Sequence, residues 1–316
     1  MTATLRMENL TRWYGHVLGV NAITAEIGPG VTGLLGLNGA GKSTLLNLLA
    51  GHLRPDFGSA YVCGRRVGDD WSVYYRLGYC PDAEKGFGNM SGMQFLTHHL
   101  RVSGYGRRQA RARAEELLAR VGLSEAAQRA AAGYSKGMKQ RLKLALADAL
   151  SPEVVLLDEP LTGLDPQGRA AMSRQIRQWG EEGRTVLVSS HILHEVESLT
   201  RRVLLLHRGR LLAEGDVRDI RDEMEDVPRR VVLESPDRLA IRRTLAADPA
   251  VLSLEDGEVD GQLTLRTRRL SQFLSNFNES VAREGWRVVR LSTPDESMEA
   301  VFRDLLERKG GTRGTG

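Results

Sequence analysis

The sequence predicts an α/β fold with a parallel β-sheet core, an inserted helical subdomain and a small C-terminal α+β domain. Continuous apolar runs such as VVLL and TVLVSS are typical of strands buried on both faces of a parallel sheet. Across residues 83–150 the apolar positions follow a helical spacing instead. After Gly215 the chain becomes more charged and carries no chemical motif. We therefore expect a domain boundary at that point.

Turn residues and apolar runs assign the individual elements. In the first 215 residues we expect strands at 4–10, 31–35, 61–67, 78–80, 154–157 and 185–189, then a hairpin of 203–207 and 211–213. The segment ARARAEELLARVGL places Ala114, Leu117, Leu118 and Val121 on one helical stripe. The helical subdomain is expected to cover about 83–150 of domain 1–215.

The C-terminal part has the order βαββαβ followed by a helix. Residues 216–229 are expected to be a helical linker that ends near Pro228, and residues 230–309 an accessory domain. Within it we expect strands at 230–234, 251–255, 262–266 and 287–291, and helices at 238–247, 270–284 and 298–308. The glycine-rich end, residues 310–316, is expected to be disordered.

Composition excludes several classes of protein. The 316 residues contain no apolar run near the ~18 residues that cross a bilayer, and no signal peptide. If the protein works at a membrane, another chain must cross it. The two cysteines, Cys63 and Cys80, lack metal-ligand spacing and predict reduced cytosolic thiols. A net charge of +4 does not require nucleic acid as a partner.

The segment GLNGAGKST, Gly36 to Thr44, matches a phosphate-binding loop. An apolar strand precedes it and a helix follows, which is the context that the motif requires. Glycines let backbone N–H groups converge on phosphate oxygens, and the helix N-terminus adds partial positive charge. Lys42 is expected to neutralise the β- and γ-phosphates, and Ser43 to ligate Mg²⁺. The nucleotide-binding set here is Gly36, Asn38, Gly39, Ala40, Gly41, Lys42, Ser43 and Thr44.

Two further motifs end apolar strands later in the chain. VVLLDE ends in Asp158, predicted to support Mg²⁺, and in Glu159, predicted to orient and deprotonate the attacking water. TVLVSSH ends in His191, which is expected to contact the γ-phosphate or that water. Together with Lys42, Glu159 and His191 form the predicted catalytic set.

In this order and spacing the motifs resemble the nucleotide-binding subunit of an ABC transporter, over roughly residues 3–215. The stretch GYSKGMKQR, Gly133 to Arg141, resembles the ABC signature, and its Ser135 lies 91 residues beyond Thr44. The resemblance implies that Ser135 and Gly137 cap the γ-phosphate held by a second copy, so that a homodimer encloses two ATP molecules. On physical grounds alone, a helix N-terminus with a hydroxyl and a glycine is a second anion site.

The resemblance also assigns single residues. Tyr14, with Trp13 as the adjacent alternative, matches the aromatic ring that stacks on adenine, and Asp165 of LTGLDP matches the acid that communicates between the two sites. Asp82 occupies the place of the family's switch-loop glutamine. This is a departure, because a carboxylate is shorter and charged; metal coordination by Asp82 and loss of the contact are both open.

Within the family, YSKGMKQR and SMEAVFRDLL resemble type-2 exporters of drugs, lipids, polysaccharides or ions. This implies an integral membrane permease on separate chains and a peripheral position on the cytoplasmic side of the membrane. The residues from about 83 to 105 are expected to receive the permease. The alternative is an ABC ATPase of regulation, translation or DNA maintenance. The gap of 91 residues before the signature has no sustained heptads. The Arg-rich segment RVSGYGRRQARARAEE, residues 101–116, lacks interleaved aromatics, so no nucleic-acid partner is expected.

Overall fold

A computed structural model describes residues 4–82, 87–222, 228–257, 261–294 and 298–310. The chain divides into two compact units, residues 1–215 and 216–316. No helix in the described part of the chain is both long and apolar enough to cross a bilayer. The predicted start of the helical subdomain at Ala83, part of the 216–229 linker and the tail after residue 310 lie outside the described residues.

The first unit contains ten strands among its described residues. In chain order they are β1 (Leu5–Tyr14), β2 (Val17–Ile27), β3 (Gly30–Leu35), β4 (Phe57–Val62), β5 (Arg65–Arg66), β6 (Leu77–Cys80), β7 (Val154–Asp158), β8 (Thr185–Ser190), β9 (Arg202–His207) and β10 (Arg210–Asp216). The helices are α1 (Lys42–Leu49), α2 (Val73–Arg76), α3 (Gly92–Val102), α4 (Arg107–Arg120), α5 (Lys136–Ala147), α6 (Pro166–Glu181) and α7 (Leu193–Glu197).

Two sheets form this unit. The six-stranded sheet has the order β10-β9-β3-β8-β7-β6, and the pairs β3–β8, β3–β9, β7–β8 and β6–β7 are parallel. Its strands β7 and β8 are buried at every residue, as their continuous apolar runs predict. A four-stranded antiparallel sheet, β2-β1-β4-β5, lies beside it. The predicted α/β class with a parallel core is confirmed.

In the antiparallel sheet one strand was missed and one strand prediction was wrong. β2 was not predicted, although Ile23, Ala25 and Ile27 alternate with exposed residues and pair with β1. The expected strand 61–67 is instead two strands, because the chain reverses at Cys63 and Gly64, whose φ angles are 49° and 76°. Of the two residues at the reversal, only Gly64 signals a turn in the sequence.

The helices α3, α4 and α5 pack around a separate apolar core that includes Leu96, Leu100, Ala114, Leu117 and Leu142. Ser91 starts α3 with a reciprocal capping box, since it accepts from the N–H of Gln94 and its own N–H donates to the Gln94 side chain. Helix α5 lies directly on β6: a Cβ added at Gly78 would stand 2.1 Å from the Ala147 carbonyl oxygen. Only glycine fits at that contact.

Asp148 follows α5 and connects the helical part to the sheet. Its carboxylate, 4% exposed, accepts from Arg184 at 2.6 Å and from Arg120 at 3.2 Å, and Arg113 lies 3.8 Å away. Arg113 also donates to the Asp148 carbonyl oxygen at 2.9 Å. One buried acid therefore neutralises cations from α4 and from the residue just before β8.

Replacing Asp148 by asparagine is expected to lower the free energy of unfolding by about 3 kcal/mol, because it leaves arginines facing one another without their shared anion. Urea denaturation of the full chain measures the change. The matched control is Glu116→Gln, which removes an exposed acid that contacts Arg113 and Arg120. It is expected to cost less than about 1 kcal/mol. Equal costs for the two variants would contradict the role given to Asp148.

The second unit contains a four-stranded antiparallel sheet of order β12-β13-β11-β14. Its elements are α8 (Val217–Asp222), β11 (Arg229–Glu234), α9 (Arg238–Leu245), β12 (Ser253–Asp256), β13 (Gln262–Thr267), α10 (Leu270–Glu284), β14 (Arg290–Ser292) and α11 (Met298–Gly310). The inward side chains of the sheet, including Val231, Leu233 and Leu265, pack against Ile241, Phe273 and Phe277 of α9 and α10. The predicted βαββαβ order is observed, with shorter strands at β12 and β14.

Candidate functional site

The parallel sheet brings the three predicted motifs to one edge. Leu35, the last residue of β3, lies opposite Ser190 of β8, and Asp158 of β7 lies opposite Ser189. All three strands run in the same direction, so the segments that leave them meet at their carboxyl ends. The phosphate loop, the acid pair and His191 therefore meet there, although up to 155 residues separate them in sequence.

The phosphate loop connects β3 to α1 in the strained conformation that its glycines allow. Gly39 and Gly41 have φ angles of 79° and 104°. A Cβ at Gly41 would lie 2.5 Å from the Gly19 carbonyl oxygen, and one at Gly36 would lie 2.5 Å from that of Leu206. Asn38 and Ser43 are exposed, and Ala40 is buried with its carbonyl accepting from Gly209.

The start of α1 has no side chain that caps it and no acid in its first turn. The first N–H groups of a helix have no partner within the helix, so this end is open to an anion. Lys42 is the first residue of α1 and is 7% exposed. Its Nζ donates to the Gly36 carbonyl oxygen at 2.7 Å and lies 3.8 Å from Glu159 Oε1. Burial lowers the pKa of Lys42, and the charges of Glu159 and Asp158 oppose that shift.

Ser189 organises the two acids that end β7. Its hydroxyl donates to Asp158 Oδ1 at 2.6 Å and accepts from the Glu159 backbone N–H at 2.9 Å. Asp158 is 3% exposed, and Glu159 has a φ of 49°, which non-glycine residues adopt rarely. Ser189 was missed at the level of sequence, although it belongs to the quoted SSH motif.

Glu159 and His191 form a direct pair. His191 Nδ1 lies 2.9 Å from Glu159 Oε2, and the Thr162 hydroxyl lies 3.5 Å from the same oxygen. Burial raises the pKa of the Glu159 carboxyl, while the hydrogen bond from His191 and the charges of His191 and Lys42 lower it. A partly buried carboxylate with a raised pKa is a better proton acceptor than one in water.

Tyr14 ends β1 close to the start of α1. Its hydroxyl lies 3.4 Å from Thr44 Oγ1, and its ring is 45% exposed and faces the guanidinium of Arg12 at 5.5 Å. Trp13 is exposed to a similar extent. Asp56 fixes this end of the strand, since it accepts from the Trp13 N–H at 2.7 Å and from Arg12 at 3.1 Å. Sequence alone did not suggest Asp56, because 43 residues separate it from Trp13.

Asp82 leaves β6 at the same edge of the sheet, because Cys80 pairs with Leu157, the residue before Asp158. The Asp82 side chain is exposed. Its backbone carbonyl, together with that of Pro81, accepts from the Nζ of Lys143 on α5. The following residues, 83–86, lie outside the described part of the chain.

Ser135 and Gly137 lie at the start of α5. The Ser135 hydroxyl accepts from the Met138 N–H, so it caps the helix, and the first turn contains no acid. The nearest atoms to a Cβ at Gly137 belong to Leu164 and Gly163. Asp165 caps α6 through the Gly168 N–H at 3.0 Å. Among the described residues, no hydrogen bond joins Ser135 or Gly137 to the phosphate loop of the same chain.

Comparisons with known proteins show which proteins this chain is similar to. The profile of the ABC transporter family matches residues 20–162. A daunorubicin resistance ATP-binding protein of Streptomyces coeruleorubidus is 36% identical over 221 residues, which cover 69% of this chain and 70% of that protein. A daunorubicin/doxorubicin resistance ATP-binding protein of Streptomyces peucetius is 31% identical over 320 residues, covering 99% and 96% of the two chains.

A solved structure with a similar fold is the ATP-binding subunit of an ABC transporter. It superposes with a TM-score of 0.63 at 29% identity and covers 70% of this chain and 92% of that one. The share of this chain that superposes is therefore about the share that residues 1–215 make up.

Proposed function

Because this chain belongs to the family of ABC transporter ATP-binding proteins, we propose that it powers the export of a small drug-like molecule through a separate permease. Binding and hydrolysis of ATP are the family's activity. The substrate class is taken from the two Streptomyces relatives, which are named for resistance to daunorubicin or doxorubicin. Residues 1–215 serve as the nucleotide-binding domain, and residues 230–309 as an accessory domain.

One observation carries the proposal that two copies act together. Lys42, Glu159 and His191 meet at one edge of the sheet. In the part of the chain that the structure describes, no hydrogen bond joins Ser135 or Gly137, at the start of α5, to any of these three residues or to the phosphate loop. Both helix starts, α1 and α5, lack acids in their first turns. In a head-to-tail homodimer, Ser135 and Gly137 of one copy face the phosphate loop of the other, and Asp165 lies between the two sites. ATP then stabilises the closed dimer, and hydrolysis removes that stabilisation.

The residues at the sheet edge have separate roles in ATP binding and hydrolysis. Gly36, Asn38, Gly39, Ala40, Gly41 and Thr44 hold the phosphates through the loop and helix start, and Tyr14 stacks on the base. Lys42 exchanges the Gly36 carbonyl for phosphate oxygens. Glu159 accepts a proton from the attacking water, since its pKa is raised, and His191 holds the Glu159 carboxylate in place.

Mg²⁺ fits the donor set of this site. The hydroxyl of Ser43 and the carboxylate of Asp158 are hard oxygen ligands, and Ser189 orients one oxygen of Asp158 while the other is left for a metal. The described residues contain no group of three or more His, Cys, Asp or Glu side chains that could hold a metal ion. Such a sparse protein shell is typical of Mg²⁺ that is held mainly by substrate phosphates and water. When bound, the metal would neutralise charge on the β- and γ-phosphates.

Asp82 is proposed to contribute to that metal site in place of the family's glutamine. Asp82→Ala is expected to raise the Mg²⁺ concentration for half-maximal ATP hydrolysis about tenfold, because a ligand or its water contact is lost. Titration of the steady-state rate with Mg²⁺ at saturating ATP measures the shift. Asp69→Ala is the control, since Asp69 is an exposed acid that pairs with Arg66 elsewhere. An unchanged Mg²⁺ dependence would show that Asp82 does not serve the metal.

The transport role is tested by what the full-length protein binds in its native cells. Purification in the presence of ATP from native membranes should recover an integral permease, with the chain at the cytoplasmic face of the membrane. Adding that permease in vesicles should increase ATP hydrolysis. Recovery of ribosomes or DNA in its place would favour a translation or DNA-maintenance ATPase and would refute the export proposal.

A further inference from the structure

We propose that Lys143 is a positioning residue for ATP hydrolysis, because its ammonium ties the switch loop of one ATP site to the helix that completes the other. We call Pro81 and Asp82, the two described residues that follow β6, the switch loop. The inference rests on the proposed function, from which it takes the assignment of Asp82 and Ser135 to two different ATP sites of a dimer.

Lys143 is a buried cation whose described partners are backbone carbonyls. The residue is 6% exposed, and its Nζ donates to the Pro81 carbonyl oxygen at 2.7 Å and to that of Asp82 at 3.0 Å. Among the described residues, no carboxylate lies within ion-pair distance of it. Burial of an ammonium group is unfavourable unless hydrogen bonds satisfy it. The two loop carbonyls therefore stabilise the buried charge, and the charge in turn holds the loop.

The contact between Lys143 and the switch loop lies on the face of α5 that packs against the end of β6. Gln140 Nε2 lies 3.9 Å from Cys80 Sγ, and Gly78 passes so close to the Ala147 carbonyl that no side chain fits between them. Residues 140, 143 and 147 share one helical face. Two of these contacts are made to the strand. Of these three residues, only Lys143 contacts the switch loop that follows the strand. A movement of the loop is therefore transmitted to α5 through Lys143.

The position of Lys143 along α5 gives this contact a mechanical consequence. Ser135 caps the N-terminus of α5, eight residues before Lys143. The two positions are therefore about 12 Å apart along a stiff helix. When nucleotide enters one site, a shift of the Asp82 backbone would move α5. The Ser135 hydroxyl, which lies against the ATP site of the other copy in the proposed dimer, would move with it. Lys143 thus couples the two ATP sites of a dimer without touching either nucleotide.

The same helix provides a matched control. Arg141 Nη1 also donates to two backbone carbonyl oxygens, those of Val121 at 3.2 Å and Gly122 at 3.0 Å. Both acceptors follow α4 and belong to the helical part itself. Arg141→Met therefore removes the same kind of contact from the same helix but leaves the switch loop attached.

The experiment compares full-length Lys143→Met, Lys143→Arg and Arg141→Met with the unsubstituted protein. It measures melting temperature, ATP affinity, kcat, and hydrogen exchange of residues 36–44 and 136–142 with and without ATP. We expect Lys143→Met to bind ATP within about twofold of the unsubstituted protein but to lose about tenfold or more in kcat. ATP should still protect residues 36–44, whereas the ATP-dependent change at 136–142 should disappear. Lys143→Arg retains donors and should keep that change.

Arg141→Met is expected to melt at a lower temperature yet to keep the ATP-dependent change at 136–142 and a kcat within about threefold. The inference is overturned if Lys143→Met keeps both kcat and that change, or if Arg141→Met loses them equally. These results leave the proposed function intact, because it is tested separately by the unsubstituted protein. Absence of hydrolysis and of ATP protection at 36–44 in that protein would remove both proposals together.

Discussion

Replacing Glu159 by glutamine is expected to reduce ATP turnover by about 10²–10⁴-fold while ATP binding is preserved. The amide has nearly the shape of the carboxylate and keeps an oxygen that can accept from His191, but it cannot take a proton from water. The phosphate loop, Lys42 and Asp158 are unchanged, so the affinity for ATP should remain. Because ATP then persists in the site, the ATP-bound dimer should accumulate.

Single-turnover hydrolysis, ATP binding and size-exclusion chromatography with ATP measure these three properties. Glu153→Gln is the control, since Glu153 is an exposed acid just before the other end of β7 that pairs with Arg76. It is expected to change turnover by less than about twofold. Fast hydrolysis by Glu159→Gln would exclude Glu159 as the proton acceptor, whatever the state of the dimer.

The predicted chemistry came from contiguous motifs, whose physics is local. A glycine loop between a strand and a helix forms an anion site from its own backbone, so GLNGAGKST could be interpreted without knowing the fold. An apolar strand that ends in two acids likewise places both acids at the end of a buried strand, whatever the rest of the fold. Parallel pairing of β3, β8 and β7 then explains why these segments meet.

The residues that sequence analysis missed act across long separations. Ser189 bridges Asp158 and Glu159 from a strand 30 residues away, and Asp56 holds Trp13 across 43 residues. The sequence around Ser189 and Asp56 does not indicate their partners, because those contacts depend on the register of the sheets. Lys143 lies in the helix that follows the signature, and no sequence pattern assigns it a role. Its contact depends on the close approach of α5 to β6 at Gly78, which no local pattern encodes.

The strand errors have the same origin. β2 has a weak alternation whose meaning comes from its pairing with β1. The reversal at Cys63 and Gly64 interrupts a run of residues that favour strands, and Cys63 adopts a positive φ without a sequence signal. Intrinsic propensity identified the buried parallel strands well, because burial on both faces requires a continuous run of apolar residues. The antiparallel sheet has one exposed face, and its strands are correspondingly harder to delimit.

Mixing two inactive variants is expected to restore an ATP-dependent dimer, provided that each site is built from two copies. Lys42→Ala lacks the phosphate-loop cation and Ser135→Arg blocks the helix start that faces the other copy. Each variant alone has two defective sites. A mixed dimer places the intact Lys42 of one chain opposite the intact Ser135 of the other, so one of its sites is complete and the other carries both defects.

Energy transfer between differently labelled Lys42→Ala and Ser135→Arg chains should therefore rise when ATP is added to the mixture, and should not rise within either variant alone. Hydrolysis by an equal mixture should reach at most about a quarter of the normal rate, because random pairing makes half of the dimers mixed and each has one complete site. Ser124→Arg, an exposed serine outside α5, is the control and should behave as the unsubstituted protein. Normal hydrolysis by Ser135→Arg alone would refute the assignment of α5 to the facing site. A mixture that gains no ATP-dependent energy transfer, when unsubstituted chains do, would refute the shared site itself.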